Sequence, residues 1–325
     1  MAAVENDELV GLEQIRAARE RIAPYIHHTP LMSATALGKR VGARLLLKAE
    51  LFQKTGSFKP RGALNKLLSL SDEERARGVI SISAGNHAQG VAYAAGILGI
   101  AATVVMPATV VRAKAEATRG YGAEVILHGT HHDLLPKAEE IQAERGLTFV
   151  APFDDPYVIA GQGTVGLELM EDAPDELDAV IVPVGGGGLI SGVAAAVKAI
   201  SPRTRVIGVE PEGAAVMTKS LREGAAAHAD TLNTIADGLA APFAGVLNYA
   251  HTKALVDDVV LVSDDEIVAA MHLLMERAKL LPEPSGAAAY AALLAGKVAG
   301  LPPNARVAAI VSGGNLDRDR LKELL

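Results

Sequence analysis

The chain has 325 residues, half of them apolar, which is enough to bury a sizeable core in one large domain or two ordinary ones. Its formal net charge of −7 argues against a nucleic-acid partner, because phosphates require a basic protein face. It contains no cysteine, which excludes disulfides and thiolate chemistry, and it has neither a membrane-length apolar run nor a signal peptide, so we expect a cytoplasmic protein with no membrane partner.

Taken in chain order, short apolar segments alternate with alanine- and leucine-rich segments of helical pattern. The segment "PRGALNKLLSL" (60–70) predicts a helix, and "GVISIS" (78–83) predicts a strand. Further strands are predicted in "ATVVMP", "AEVILHG", "AVIVPVGGGG" (179–188), "RVIGVEP", "VVLVS" and "RVAAIVSGGN" (306–315). Continuous apolar strands separated by helices are typical of parallel sheets covered on both faces. We therefore predict an α/β fold with two open, mainly parallel twisted sheets.

Two domains follow from the grouping of these elements. The units within 54–150 form a compact block, which predicts a small domain. Residues 1–53 and 151–325 provide a second, larger sheet, and the lysine-bearing segment 54–70 lies at the junction. Ligands of parallel sheets bind at the carboxyl ends of strands, so we expect a cleft between the two domains.

A run of glycines follows the predicted strand that begins at residue 179. In "GGGGL" (185–189) the backbone N–H groups and the dipole of the next helix favour an anion, and we expect a phosphate there. The pattern is neither G-x-G-x-x-G nor a Walker loop, so NAD and ATP are not indicated. A simple tight turn is the alternative, although four consecutive glycines carry a high cost in conformational entropy.

Two other turns place polar side chains at strand ends. In "SAGNH" (83–87) the backbone amides and the Ser83 hydroxyl can hold a carboxylate, and Asn86 can donate to a phenolate-type oxygen. In "SGGN" (312–315) Ser312 can hydrogen-bond a neutral ring nitrogen. Helix capping is the alternative interpretation of both turns.

Lys59 stands immediately before Pro60, at the start of the predicted helix. The residue before proline is kept out of helical conformation, so we expect Lys59 just outside the helix. The positive end of the helix dipole and the neighbouring Phe58 both favour a neutral amine. A lysine with a lowered pKa is suited to Schiff-base chemistry, and together with a phosphate site it indicates pyridoxal phosphate. The alternative is an ordinary surface lysine.

Five segments together resemble a known family. They are "GSFKPRGA", "SAGNHAQGVA", "IAGQGTVGLE", "VPVGGGGL" and "VSGGN", and they occur in the family's order over about residues 10–320. The chain resembles the fold type II pyridoxal phosphate enzymes, which are tryptophan synthase β-like, and within them the group of serine/threonine dehydratases and serine racemases. The resemblance implies that Lys59 forms the internal aldimine and later moves the substrate's Cα proton.

The resemblance also assigns the other site residues. Lys59, Ser83 and Asn86 are the implied catalytic residues. The implied cofactor contacts are Phe58, Lys59, Asn86, Gly185, Gly186, Gly187, Gly188, Leu189, Gly238 and Ser312. The implied contacts to the substrate carboxylate are Ser83, Gly85, Asn86 and His87, while Glu283 and Ser285 are candidates of second rank.

Two departures from the family pattern bear on function. Ala84 stands where the related racemases carry a serine that serves as acid and base on the far face, which argues against efficient racemisation. Glu210 matches a ligand of the Mg²⁺ or Ca²⁺ site in that group, but Val216 stands where an aspartate is expected. Glu212 is the alternative ligand, so a bound metal ion is left open.

The expected activity is dehydration and deamination of a small hydroxy amino acid. L-Threonine would give 2-oxobutanoate and ammonia, and L-serine would give pyruvate. The alternatives are a 3-hydroxyaspartate dehydratase, a serine racemase and, from another class, a non-catalytic phosphate- or nucleotide-binding protein. The resemblance implies a homodimer or homotetramer of the short catabolic type, without the C-terminal regulatory domain of the biosynthetic enzymes.

Overall fold

The computed structural model describes residues 9–230 and 232–324, apart from the side chain of His131. Positions 1–8, 231 and 325 of the predicted larger domain therefore lie outside the description. The described α-helices are α1 (Leu12–Ile22), α2 (Thr35–Val41), α3 (Lys59–Leu68), α4 (Asp72–Arg77), α5 (Asn86–Leu98), α6 (Arg112–Gly120), α7 (Leu134–Arg145), α8 (Pro156–Asp172), α9 (Gly188–Ile200), α10 (Val216–Glu223), α11 (Val246–Leu255), α12 (Asp264–Leu273), α13 (Pro284–Leu294) and α14 (Arg318–Leu324). None of them is long and apolar enough to cross a membrane.

The strands form two separate sheets. They are β1 (Leu31–Ser33), β2 (Arg44–Ala49), β3 (Val79–Ile82), β4 (Ala102–Met106), β5 (Glu124–Leu127), β6 (Thr148–Phe149), β7 (Ala179–Pro183), β8 (Arg205–Pro211), β9 (Asp258–Val262) and β10 (Arg306–Val311). The larger sheet has the order β1-β2-β10-β7-β8-β9, and the smaller has the order β5-β4-β3-β6. Every described pair is parallel except β1 with β2. The predicted fold class is confirmed.

Helices cover both faces of the larger sheet, as its apolar strands require. Successive residues of a strand point to opposite faces, and β7 shows this directly. Its Val180 and Val182 pack in one core cluster with α8 and α9, whereas Ile181 packs in another with α12 and α13. Because both faces are buried, the strands are apolar throughout and not alternating.

The smaller sheet is built in the same way. Val79 packs with α3, α5 and α6, whereas its neighbour Ile80 packs with α7. Helix α3 also contacts α8, which packs on the larger sheet. Helix α3, which begins with Lys59, therefore packs between the smaller sheet's helix α5 and the larger sheet's helix α8. The predicted limits of the two domains stay a prediction.

The prediction that Lys59 lies just outside its helix is wrong by one residue. Helix α3 begins at Lys59, with Phe58 as its N-cap, and ends at Leu68. Proline is tolerated in the first turn because the N–H that it lacks would have no helical acceptor there. The lysine is therefore fixed by the helix itself, which makes its position more rigid than a loop would.

Candidate active site

The lysine-bearing segment is joined to the turn that follows β10. The amide of Phe58 donates to the carbonyl of Ser312 over 3.2 Å. One residue earlier, Ser57 pairs with Gly313 in an isolated antiparallel bridge. These backbone bonds bring the start of α3 to the carboxyl end of the larger sheet, where ligand sites of parallel sheets lie.

Asn86, the first residue of α5, connects the smaller sheet to the same place. Its Oδ1 accepts a hydrogen bond of 2.8 Å from Nδ2 of Asn315, and its Nδ2 donates to Oε1 of Glu283 over 2.6 Å. Nδ2 of Asn315 also donates to the carbonyl of Thr55. Burial, and then the charge of Asp237, raise the pKa of Glu283 to about 7. The turns after β3 and β10 and the lysine segment therefore meet in one cleft, as the sequence predicted.

Lys59 lies in this cleft with a partly buried side chain. Its Nζ donates to the carbonyl of Pro152 over 2.9 Å and lies 5.3 Å from the centre of the Phe58 ring. Burial lowers the pKa of Lys59 to about 8, which leaves a useful neutral fraction of the amine. On the facing helix, a Cβ at Gly90 would lie 3.1 Å from the carbonyl carbon of Lys59. The absence of a side chain there lets α5 approach the lysine closely.

His87 lies beside the lysine with a buried ring. Its Nε2 is 3.3 Å from the carbonyl oxygen of Val150. Burial, and then the charge of Lys59, lower the pKa of His87 to about 3, so the ring is neutral. The ring therefore packs against the smaller sheet and carries no charge for a substrate. The predicted contact between His87 and the substrate carboxylate stays a prediction. The group of His87 that suits this contact is its backbone amide, in the first turn of α5.

The glycine turn after β7 forms an N–H cradle at the start of α9. Among the described residues, no oxygen accepts a hydrogen bond from the amides of Gly185, Gly186 or Gly187, and the last two residues are buried. The first amides of α9, at Gly188 and Leu189, have no acceptor within the helix either. Buried amides without acceptors are costly unless a ligand completes them. The cradle therefore fits an anion, which the helix dipole also favours.

Glycine is required in this turn for steric reasons. Gly187 has φ of 100°, in the left-handed region where other residues are strained. A Cβ at Gly186 would lie 2.4 Å from a ring carbon of Phe153. A Cβ at Gly185 would lie 3.2 Å from the backbone of Leu239. The turn is thus held tightly against its neighbours while its amides remain open to a ligand.

The turn after β3 provides a second set of amides. The Ser83 hydroxyl accepts a hydrogen bond of 3.0 Å from the amide of Gly85. No atom lies within 4 Å of the position of a Cβ at Gly85, so the loop borders open space. Helix α5 begins directly afterwards, and its first-turn amides have no helical acceptor. This geometry is suited to a carboxylate, and the contact of the loop with the substrate stays a prediction.

Gly238 lies beside this cleft in a short 3₁₀ helix (Asp237–Leu239). A Cβ at Gly238 would lie 2.7 Å from Oγ of Ser285 and 3.7 Å from Oε1 of Glu283. Among the described residues, the buried Ser312 hydroxyl has one hydrogen-bond partner, the carbonyl of Ser285, over a long distance of 3.4 Å. The ion pair of Asp237 with Lys114 of α6 connects this turn to the helices of the smaller sheet. Gly238 therefore lies close to Glu283 and Ser285, and Ser312 lies close to Ser285, as expected for residues that the sequence assigned to one site.

Glu210, the candidate metal ligand, is engaged in another way. Its buried carboxylate accepts hydrogen bonds from the amides of Met217 and Thr218 at the start of α10, and from the Thr218 hydroxyl. Burial raises the pKa of Glu210 to about 7. In the part of the chain that the structure describes, no group of three His, Asp or Glu residues could hold a metal ion. The metal site stays a prediction, with both oxygens of Glu210 already serving as a helix cap.

One part of the site was not found from the sequence. Arg61, two residues after Lys59, is fully buried and donates to Glu50 and Glu168. Lys48 donates to Glu168 over 2.8 Å from the other side. Arg61 and Glu168 both lie in segments that carry the family resemblance, and this was the available signal. The buried ion pairs anchor α3, and with it the lysine, to β2 and α8.

Comparison with known proteins agrees with this geometry. The model of the family described as pyridoxal-phosphate dependent enzyme matches residues 22–313. The catabolic L-threonine dehydratase of Escherichia coli K12 is 46% identical over 322 residues, which cover 99% of this chain and 98% of that protein.

Two solved structures are also similar to this chain in fold and in sequence. The threonine deaminase of T.th. has a TM-score of 0.89 and 46% identity, with 94% of this chain and 99% of that chain covered. Maize serine racemase has a TM-score of 0.91 and 43% identity, with 97% of this chain and 96% of that chain covered. Both likenesses therefore cover more than nine tenths of this chain.

Proposed function

The chain belongs to the family of pyridoxal-phosphate dependent enzymes, and from this premise we propose that it converts L-threonine to 2-oxobutanoate and ammonia, and L-serine to pyruvate and ammonia. The observation that carries the proposal is one cleft that holds both a lysine of lowered pKa and a glycine cradle with open amides. The dehydratase and deaminase names of relatives at 46% identity support this choice of reaction.

The residues present fit pyridoxal phosphate at both ends of the molecule. The open amides from Gly185 to Leu189 suit its phosphate, because buried donors at a helix N-terminus bind anions. Lys59 suits its aldehyde, because a neutral amine is the nucleophilic form. Between them lie Phe58, Gly238 and Ser312, which would border the ring. A Cβ in the cradle would meet Phe153 or Met217, so only glycine keeps it open.

We propose the following roles for the chain's own groups. When bound, pyridoxal phosphate withdraws electrons from the substrate's Cα and weakens its Cα–H bond. Lys59 takes the α-proton as general base and then gives a proton to the departing β-hydroxyl, so that water leaves and a carbon–carbon double bond forms. Ser83 and the first amides of α5 hold the carboxylate and orient the Cα–H bond. Hydrolysis of the released enamine then yields the 2-oxo acid and ammonia.

The pKa of Lys59 predicts how cofactor attachment depends on pH. Because burial lowers this pKa from 10.5 to about 8, the neutral amine becomes the main form as the pH rises through about 8. The initial rate at which the apo-protein gains the visible absorbance of the bound cofactor should therefore rise up to about pH 8 and level off above it. A lysine peptide of ordinary pKa serves as the control, and its rate should rise up to about pH 10. A protein profile that follows the peptide would contradict the lowered pKa.

Serine racemase is the second candidate, since the maize racemase is similar in structure. Ala84 argues against it, because this turn of the cleft then offers no hydroxyl at the place where the racemases' far-face acid and base is expected. A 3-hydroxyaspartate dehydratase would need a further cation for its substrate's second carboxylate, and the loop at residues 83–87 carries no arginine. We therefore place L-threonine and L-serine first.

The test is 2-oxo acid release by the purified protein with pyridoxal phosphate. L-Threonine, L-serine and both L-3-hydroxyaspartate diastereomers are compared at matched concentrations, and D-serine formation is followed in parallel. We expect 2-oxobutanoate from L-threonine to form fastest. If the protein is inactive toward threonine and serine but releases oxaloacetate from hydroxyaspartate, the proposed substrate is wrong. If D-serine is the main product, the proposed reaction is wrong.

The cytoplasmic location and the homodimeric or homotetrameric state stay predictions. The oligomeric state can be checked by the mass of the protein in solution.

A further inference from the structure

Three side chains form a continuous chain of hydrogen bonds in the cleft, in the order Glu283, Asn86 and Asn315. Nδ2 of Asn86 donates to Oε1 of Glu283 over 2.6 Å, and Oδ1 of Asn86 accepts from Nδ2 of Asn315 over 2.8 Å. Nδ2 of Asn315 also donates to the carbonyl of Thr55 over 2.6 Å. The Asn86 amide, at the start of α5, is thus held on both sides by neighbours from other segments of the chain.

The partners at the two ends fix the direction of the Asn86 amide. The carbonyl of Thr55 can only accept, so the group of Asn315 that reaches it must be Nδ2. Because Nδ2 can only donate, the atom of Asn86 beside it must be the oxygen. At the other end, the carboxylate of Glu283 can only accept, so it must face the nitrogen of Asn86. Turning the amide over would set donor against donor and acceptor against acceptor, and both hydrogen bonds would be lost.

Glu283 and Asn315 are themselves held in place around the turn after β10. The backbone amide of Glu283 donates to the carbonyl of Gly313 over 3.1 Å, and 4% of the residue is exposed. A Cβ at Gly313 would lie 2.5 Å from Oε1 of Glu283, the oxygen that Asn86 binds. A Cβ at Gly56 would lie 2.5 Å from Oδ1 of Asn315. Two glycines from segments that carry the family resemblance therefore leave room for these two side chains.

We propose that Asn315 and Glu283 are positioning residues, which hold the Asn86 amide so that its second N–H can donate to the ring oxygen of bound pyridoxal phosphate. This inference rests on the proposed function and on the predicted contact between Asn86 and that oxygen. An N–H donor stabilises the ionised form of the ring hydroxyl, whereas a carbonyl in its place would repel that form. The two neighbours thus decide whether Asn86 favours the charge on the cofactor, although neither needs to touch it.

The experiment measures the absorption spectrum of bound pyridoxal phosphate, because the ionised ring hydroxyl absorbs at a longer wavelength than the neutral one. Burial raises the pKa of Glu283 to about 7, so spectra are recorded at about pH 8, where its carboxylate form prevails. Glu283→Met and Asn315→Leu should each lower the ratio of the long-wavelength to the short-wavelength band by less than about threefold, because the remaining bond still directs the amide. The double variant should lower this ratio by about tenfold, the size of one charge-assisted hydrogen bond.

Asn86→Ala shows whether the two residues act through Asn86. In this background the double variant should change the band ratio by less than about twofold, because the amide that the two residues direct is gone. Glu283→Gln keeps a carbonyl acceptor and should keep the wild-type ratio. Asp257→Leu controls for a general loss of stability, since Asp257 accepts a 2.7 Å hydrogen bond from the amide of Val206, near the amino end of β8. This control should melt below wild type with an unchanged band ratio.

The possible results separate the inference from the proposed function. If the double variant keeps the wild-type band ratio, or lowers it equally with and without Asn86, the inference is wrong while the proposed function stands. If the double variant does not fold, Glu283→Met is compared in the same two backgrounds, and the inference requires a decrease only where Asn86 is present. If wild type itself acquires no visible absorbance with pyridoxal phosphate, the proposed function is overturned, and the inference with it.

Discussion

Replacing Lys59 with alanine should reduce 2-oxo acid release from L-threonine by more than about 10³-fold, since the variant would lose both roles proposed for this lysine, the general base and the covalent link to the cofactor. The visible absorbance of bound pyridoxal phosphate should be lost as well. The side-chain donor to Pro152 disappears, but that bond connects a partly buried amine whose charged form is already disfavoured by burial. We therefore expect the apo-protein of this variant to melt near the wild-type temperature.

Lys54→Ala provides the matched control for this prediction. Lys54 belongs to the same segment, in the short 3₁₀ helix Lys54–Gly56, but its described hydrogen bond is made by its backbone amide. The control should keep both the absorbance and the activity. Lyase activity that survives in Lys59→Ala would show that the assignment of the reacting lysine is wrong, whatever the cofactor does.

The position of the cleft could be predicted because it follows from local rules. Each of the turns at residues 83–87, 185–189 and 312–315 comes directly after an apolar strand. Carboxyl ends of parallel strands lie on the same edge of a sheet, so the turns after β7 and β10 had to share one edge of the larger sheet. The turn after β3 belongs to the smaller sheet and reaches that edge through the hydrogen bonds of Asn86. The positive φ of Gly187 and the N–H cradle at the start of α9 both follow from the local sequence. The order of strands and turns along the sequence was therefore enough to predict these turns as parts of the site.

The buried charges could not be predicted in the same way. The apolar pattern does not predict strand β2 in "RLLLKAE", because Lys48 interrupts the pattern and Glu50 follows the strand directly. Both side chains are fully buried and are compensated by partners as far away in sequence as Glu168. A pattern of hydrophobicity describes each segment by itself, whereas a buried ion pair depends on contacts between segments. Besides the resemblance of the segments that contain Arg61 and Glu168, the sequence offered one signal, a lysine inside an otherwise apolar segment.

These buried charges lead to the largest expected effect on stability. Arg61 donates from Nε and Nη2 to both oxygens of Glu50, and from Nη1 and Nη2 to both oxygens of Glu168. Although burial disfavours its charge, the two carboxylates hold the pKa of Arg61 above its ordinary value. Burial likewise raises the pKa of Glu168, but Arg61 and Lys48 more than offset this and hold it below its usual range. Arg61 and Glu168 therefore both favour their charged forms in the folded protein.

Arg61→Met should lower the free energy of unfolding by about 3–5 kcal/mol, because it leaves buried carboxylates without their counter-charge. Glu168 keeps its 2.8 Å bond to Lys48, so most of the loss should come from Glu50. Arg16→Met is the control, since Arg16 pairs with Glu13 on the surface, with 53% of its side chain exposed. Its change should stay below about 1 kcal/mol. Urea unfolding of the apo-proteins measures both values.

The double variant Glu50→Gln/Arg61→Met separates the stranded charge from lost packing. Neutralising Glu50 should restore part of the stability lost by Arg61→Met, because an amide is far cheaper to bury than a carboxylate without a partner. Equal losses in the single and double variants would mean that the buried charge is not the cause. Arg61 follows Lys59 by two residues in α3 and fixes that helix against α8 and against the segment that follows β2. The ion pairs hold the helix that begins with Lys59, so the sequence segment that carries the lysine also carries the arginine that holds its helix.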